Sequence, residues 1–224
     1  MLTSRCSQTG AAASLAPAAE RQTRQAGTFR LMVNQVEFAE GCSPSVISIG
    51  DLSKSELLTT LSDNDIHLNQ AAKDLFSDHR FQPRLQAVAV RIVALSISDL
   101  GFQGGASYCQ IVARALELGF FECPLELAPY MRLQFMNQPE ASDDPSSTER
   151  GAPPGAFTIA SRPLDETDQV PKGFYLRHTN GEFWLRGYWS DSSHIWSQED
   201  VFVFSLDKQQ PNQPLRTDRA AHGC

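Results

Sequence analysis

The residues in this chain best equipped for chemistry are arginines interleaved with aromatic rings around a tight turn. The run KGFYLRHTNGEFWLRGY, from Lys172 to Tyr188, centres on Asn180-Gly181. Asn-Gly is the preferred pair for a type I′ turn, which needs positive φ at both central residues and matches the twist of two flanking strands. A two-residue loop pairs Thr179 with Glu182, His178 with Phe183, Arg177 with Trp184, Leu176 with Leu185 and Tyr175 with Arg186. Side chains alternate along each strand, so Phe174, Leu176, Phe183 and Leu185 share an apolar face. Tyr175, Arg177, Trp184, Arg186 and Tyr188 share the other. Guanidinium groups beside such rings bind carboxylates or phosphates bidentately, and bases can stack there. Arg132 and Gln134, read as part of a strand, point away from Met131, Leu133 and Phe135, and join Arg177 and Arg186 if the strands are neighbours. The competing structural reading pairs the arginines with Glu122, Asp191 or Asp200 and makes the rings a second apolar layer.

Other reactive side chains show weaker patterns. His67, His79, His178, His194 and His222 form no i, i+4 pair and no His-Cys group, so no metal site is expected. Cys109 and Cys123 could act as nucleophiles near His178 or His194, but a structural thiol is the commoner role. Glu122 and Glu126 flank Cys-Pro; they could serve as acid and base, or pair with Arg132, or cap a turn. Gly101, Gly104 and Gly105 lie between a strand and a helix, yet GFQGG matches neither phosphate-loop pattern and reads as a plain turn. No cofactor is implied.

These side chains must be held by a chain of 224 residues that is 41% hydrophobic and 20% charged, with a net charge of −7. The acidic balance disfavours nucleic acid as a partner of the whole chain. Five cysteines, with no CxxC, fit a reducing compartment and a cytoplasmic location. The longest apolar stretch, Ala87 to Ile97, is interrupted by Arg91 and too short to span a bilayer. Residues 1–28 read as a disordered extension, 207–224 as a tail, and 140–155 as a long solvated loop.

The segment 29–80 reads as a small helical module with a possible strand over 29–38. Ser53 and Glu56 form a capping box for a helix from about Lys54, and Asn69 caps a second one ending near Ser77. Their long connection and the single basic residue Lys73 argue against a DNA-reading pair. The main domain, 88–206, begins with the strand VAVRIVALSI and continues with a helix from Tyr108, boxed by Ser107 and Gln110 and stopped by Gly119. A turn of helix after Pro124 should lead into a strand through Phe135, followed by Phe157–Ser161, the hairpin and Val201–Leu206. The expected class is α+β: a mostly antiparallel twisted sheet with one main helix, 108–118, covering the hairpin's apolar face.

The stretch LSISDLGFQGGASYCQIVARALELGFFECPLELAPYMRLQF, with GFYLRHTNGEFWLRGYWSDSSHIWSQEDVFVF downstream, resembles a group of short bacterial proteins. They share Leu-Gly-Phe, an Arg-Ala-x-x-x-Gly helix end, Cys-Pro, Leu-Arg-Leu-Gln and a final Trp-Leu-Arg hairpin. The resemblance covers about Val88 to Leu206 and implies bacterial origin, a cytoplasmic location and one fold unit; the group brings no activity with it. Two functions follow from the residues. One is a small binding module using Tyr175, Arg177, Trp184, Arg186 and Tyr188, with Arg132, for a protein or an anionic ligand. The alternative is an enzyme on a phosphate-containing or nucleic-acid substrate, with Arg132, Arg177 and Arg186 as clamps and Glu126 or His178 moving the proton.

Overall fold

The Asn180-Gly181 turn is built as its sequence requires, with φ of 53° and 71°. It sets the register of β8 (Gly173–Thr179) against β9 (Glu182–Tyr188), and the pairing runs from Thr179↔Glu182 to Gly173↔Tyr188. The computed structural model describes residues 44–141, 152–167 and 169–208, together with the backbone of 32–33 and 36–37. Residues 1–28 and most of the 140–155 loop lie outside the described residues, as does the tail beyond Lys208.

The hairpin belongs to a mixed sheet. In chain order its strands are β3 (Ser45–Ile49), β4 (Ile66–Leu68), β5 (Val88–Ser96), β7 (Phe157–Ile159), β8, β9 and β11 (Val201–Ser205). Their spatial order is β3-β5-β11-β7-β8-β9-β4. β11 is parallel to β7 and β4 is parallel to β9; the other four junctions are antiparallel. Two small pairs lie outside it: β1 (Met32–Val33) with β2 (Val36–Glu37), in place of one strand over 29–38, and β6 (Ala106–Ser107) with β10 (Ile195–Trp196).

Among the described residues four helices accompany the sheet, where one main helix and two short ones in the 29–80 segment were expected. The capping boxes form as the spacing demands: Ser53 with Glu56 opens α1 (Lys54–Asp63), and Ser107 with Gln110 opens α3 (Tyr108–Glu117). Asn69 caps α2 (Gln70–Ser77) through the Ala72 N–H at 2.9 Å. The expected strand ending at Phe135 is instead α4 (Leu127–Gln134). LAPYMRLQ contains no β-branched residue, and Pro129 falls in the first turn, where its missing N–H costs nothing.

The helices take opposite sides of the sheet from the arrangement expected. α3 does not cover the hairpin. Its Ile111 and Ala115 pack with Val93, Leu95, Trp196, Phe202 and Phe204 in a second core. The hairpin's apolar residues Phe174, Leu176 and Leu185 join the first core, which takes in Leu75 and Phe76 of α2, Leu127 and Met131 of α4, and Leu57 and Leu61 of α1. The 54–77 stretch, expected as a small separate module, thus shares the sheet and the main core. The missed strand β4 is the reason: three residues, IHL, are too few to announce a strand, yet they pair with Phe183–Leu185.

α2 lies on β9 because residue 187 is glycine. A Cβ there would come within 2.5 Å of the Ala71 carbonyl carbon and 2.6 Å of the Ala72 nitrogen. Both are helix backbone, which cannot give way as a side-chain tip can. Asn69 completes the joint: its Nδ2 donates to the Gly187 carbonyl at 2.9 Å and its Oδ1 accepts from the Gly187 N–H at 2.8 Å. Leu185→Ala should therefore lower stability by about 2–5 kcal/mol through the cavity it leaves. Gly187→Ala should cost about 1–3 kcal/mol or more by forcing helix and strand apart. Chemical denaturation of both variants checks this; a Gly187→Ala chain as stable as the parent would contradict the close approach.

Candidate functional site

Tyr175, Arg177, Trp184, Arg186 and Tyr188 emerge on the hairpin face opposite the main core, as the alternation dictates. Tyr175 and Trp184 belong to neither hydrophobic core. Tyr188 is different. It packs into the second core, with its ring 5.4 Å from Trp196 and edge-on, and burial pushes its hydroxyl pKa well up. It is a structural residue and leaves the candidate surface.

β4 adds a residue that the sequence pattern had not placed there. Parallel pairing sets His67 beside Trp184, which in turn faces Arg177. The His67 and Trp184 ring centroids are 4.9 Å apart, and His67 Nε2 is 3.9 Å from Glu182 Oε1. The Arg186 guanidinium carbon lies 4.6 Å from the centre of the same indole ring. A second row crosses the strands one repeat further on, from Arg186 to Tyr175 to the buried Thr158.

Arg186 is half-buried, and its Nε is shielded from solvent with no hydrogen-bond partner, as is the Nε of Arg132. Among the described residues no carboxylate lies within ion-pair distance of it. The acids that the structural reading assigned to the arginines are used elsewhere. Glu122 accepts from the Tyr108 hydroxyl at 2.9 Å and from Arg162 Nε at 3.3 Å. Asp191 accepts from Ser193 and Asp200 from the Ser197 N–H at 2.7 Å. An arginine fork with five donors, held on a ring and without an acid among the described residues, is equipped to take an anion.

Arg132 does not join this face, which corrects the sequence reading. It sits on helix α4, which packs on the apolar side of the hairpin, so its guanidinium lies over Phe183, 4.7 Å from the ring centre. It is fully buried and donates to Gln138 Oε1 and the Phe135 carbonyl. Burial without a carboxylate lowers its pKa to about 10. His178 is on that side too, stacked on Phe183 at 4.1 Å with Nδ1 2.8 Å from the Gln138 carbonyl oxygen. The three-arginine clamp of the enzyme reading is therefore not assembled, and neither of its proton-transfer candidates stands beside Arg186. Glu126 is buried against Arg84, in a groove of about 770 Å³ to which the hairpin contributes no lining residue.

That groove runs between Val112 and Leu116 of α3 and the 120–126 connection, with the ion pairs Arg84–Glu126 and Arg162–Glu122 on its walls. Cys123 lines it, but its thiol is buried, points to the Val203 carbonyl at 3.5 Å and has its pKa pushed well up, so it is no nucleophile. Cys109 is exposed on α3. Gly105 serves a turn: its φ is +82°, and a Cβ would come within 2.4 Å of the Trp196 carbonyl oxygen. Among the described residues no cluster of three or more His, Cys, Asp or Glu could hold a metal, and no helix is long and apolar enough to cross a membrane. Comparison with protein-family models, curated proteins and solved structures finds no match.

Asp200 supplies a pH test of these assignments. Burial raises its pKa from 3.8 to about 6, against the lowering effect of the Ser197 and Ala152 amides. The folded state thus binds this proton more tightly than the unfolded chain does. Its contribution is fully present below about 4 and is lost as the pH rises through about 6. Asp200→Asn keeps an acceptor for the Ser197 amide and never ionises. It should melt above the parent at pH 7–8 by a margin that closes below pH 4, as thermal melts across that range would show. A margin independent of pH would mean that the carboxyl is not titrating in the fold.

Proposed function

We propose that the protein is a small binding module that holds an anionic partner on the face formed by Tyr175, Arg177, Trp184 and Arg186. The observation that carries this reading is Arg186: half-buried, stacked on Trp184, and lacking a carboxylate partner among the described residues. Guanidinium is costly to shield from water unless its N–H groups are bonded, so a site of this kind gains most from a carboxylate or phosphate in bidentate contact. Tyr175 stands beside Arg186 in the same cross-strand row and Arg177 on the diagonal, within reach of one ligand. His67 and Arg186 both lie against the Trp184 ring, which suits that ring to holding the guanidinium in place more than to stacking a base. A cytoplasmic setting accords with the free thiols of Cys109 and Cys123.

The test uses the full chain in a heteronuclear NMR titration with inorganic phosphate and, separately, a short peptide rich in Asp and Glu. The Trp184 indole and the β8–β9 amides should shift on addition of one of them, and Arg186→Gln should weaken that response about tenfold or more. The melting temperature of Arg186→Gln should stay close to the parent's. An Arg186→Gln chain that unfolds as early as Leu185→Ala would assign the arginine to a structural network and remove the basis for the reading.

A further inference from the structure

The groove beside α3 is separate from the hairpin face, and its lining is uneven in charge. It encloses about 770 Å³, a size usual for small-molecule sites. Its basic side chains are Arg80, Arg84, Arg162 and Lys208, against the acids Glu122 and Glu126. In a chain with a net charge of −7, four cations facing two anions make a local positive site. Both acids are already engaged. Glu126 accepts from the Arg84 backbone N–H and Nε, and Glu122 accepts from the Tyr108 hydroxyl and Arg162. Arg80 is bonded to Asp78 and Asp165, neither of which lines the groove.

Arg162 and Lys208 are left with donors to offer. Arg162 meets Glu122 through Nε alone, and its side chain is 90% exposed. Lys208 is exposed, with no carboxylate within ion-pair distance among the described residues. The accessible remainder of the lining is largely aliphatic: Val112, Leu125 and Leu164 are half-buried, and Leu116 is 59% exposed. Phe81, Phe120 and Phe204 also line the groove but are buried in the two cores, so little ring surface is offered for stacking a base.

We propose that this groove binds an alkyl carboxylate, a fatty-acid-like anion, with its chain on Val112, Leu116, Leu125 and Leu164 and its carboxylate on Arg162 and Lys208. Charge complementarity selects this occupant. A neutral apolar ligand would leave the surplus cations without a partner, and a compact anion such as phosphate would leave the aliphatic lining in water. The segment 209–224, which continues the chain from Lys208, is a poor match for a positive groove. It carries Arg216 and Arg219 against Asp218, and Leu215 is its one large aliphatic side chain.

Isothermal titration calorimetry and heteronuclear NMR of the full chain with decanoate, kept below its micelle concentration, test this, with decanol as the uncharged match. Decanoate should bind saturably and at least about tenfold more tightly than decanol, as a charge-assisted contact implies. The α3 amides around Val112 and Leu116 should shift on addition, while those of β8 and β9 stay in place. Arg162→Gln combined with Lys208→Gln should remove the preference for decanoate. Leu116→Glu, at an exposed position, should abolish binding and melt close to the parent. Absence of saturable binding overturns the proposal, as does binding that survives Leu116→Glu or shifts confined to β8 and β9. Decanoate affinity that rises in Leu215→Asp would assign the groove to the 209–224 segment, and a dimer lost in Leu116→Glu would assign it to a second copy. Either result overturns the proposal as well.

Discussion

The joint between Asn69 and Gly187 is the constraint on which the rest of the molecule depends. Asn69 ends β4, caps α2 and bonds both backbone groups of Gly187, so one side chain settles where the N-terminal elements meet the hairpin. The absence of a Cβ at 187 lets α2 come down to backbone contact on β9. With α2 seated there, Leu75 and Phe76 fall over Phe174 and Leu185, and the main core closes on that side of the sheet. The hairpin's other side is then released from the task of building that core. Its aromatic and cationic side chains can be retained for a different purpose.

Arg132 and Arg186 sit in different environments on the two sides of the hairpin. Arg132 is enclosed completely, yet the protein spends a glutamine side chain and a backbone carbonyl on its N–H groups and lays it on Phe183. The lowered pKa records the cost of shielding that charge. Removing either acceptor would leave an unpaired charge in the core, which is why such networks act as structural fixtures. Arg186 also rests on a ring, and its Nε, like that of Arg132, is shielded without a hydrogen-bond partner; what differs is that Arg186 is only half-buried, on the open side of the hairpin.

The readable part of the sequence was local. Asn-Gly dictated the turn and therefore the full hairpin register, and both S-x-x-E/Q boxes opened helices where their spacing placed them. What could not be read was which helix met which face. α3 has an apolar stripe, and nothing in that stripe says whether Leu176 or Phe204 lies beneath it. The misassignment of α4 had a definite cause: in PYMRLQF the apolar residues fall at alternate positions, which mimics a strand, and the run is too short for the helical period to declare itself. That one substitution of helix for strand carried Arg132 from the candidate face to the core. His67 was hidden for the opposite reason, since its position on the face follows from a three-residue parallel pairing that leaves no periodic trace.

Charge bears on how such a face would meet its partner. The chain carries a net charge of −7, so an anionic partner feels repulsion on approach and no steering. At physiological salt that repulsion is damped beyond about 8 Å, and what decides binding is the environment within contact distance. There the Arg186 guanidinium lies against Trp184 and has no carboxylate partner among the described residues, so none of these cancels its field, and water does not fully screen it. For the anionic partner proposed above, affinity would come from the contact and not from the encounter. An acidic protein with one such arginine would discriminate against polyanions such as nucleic acid, whose binding rests on many spread phosphates. It would favour a partner that presents a single well-placed acidic group.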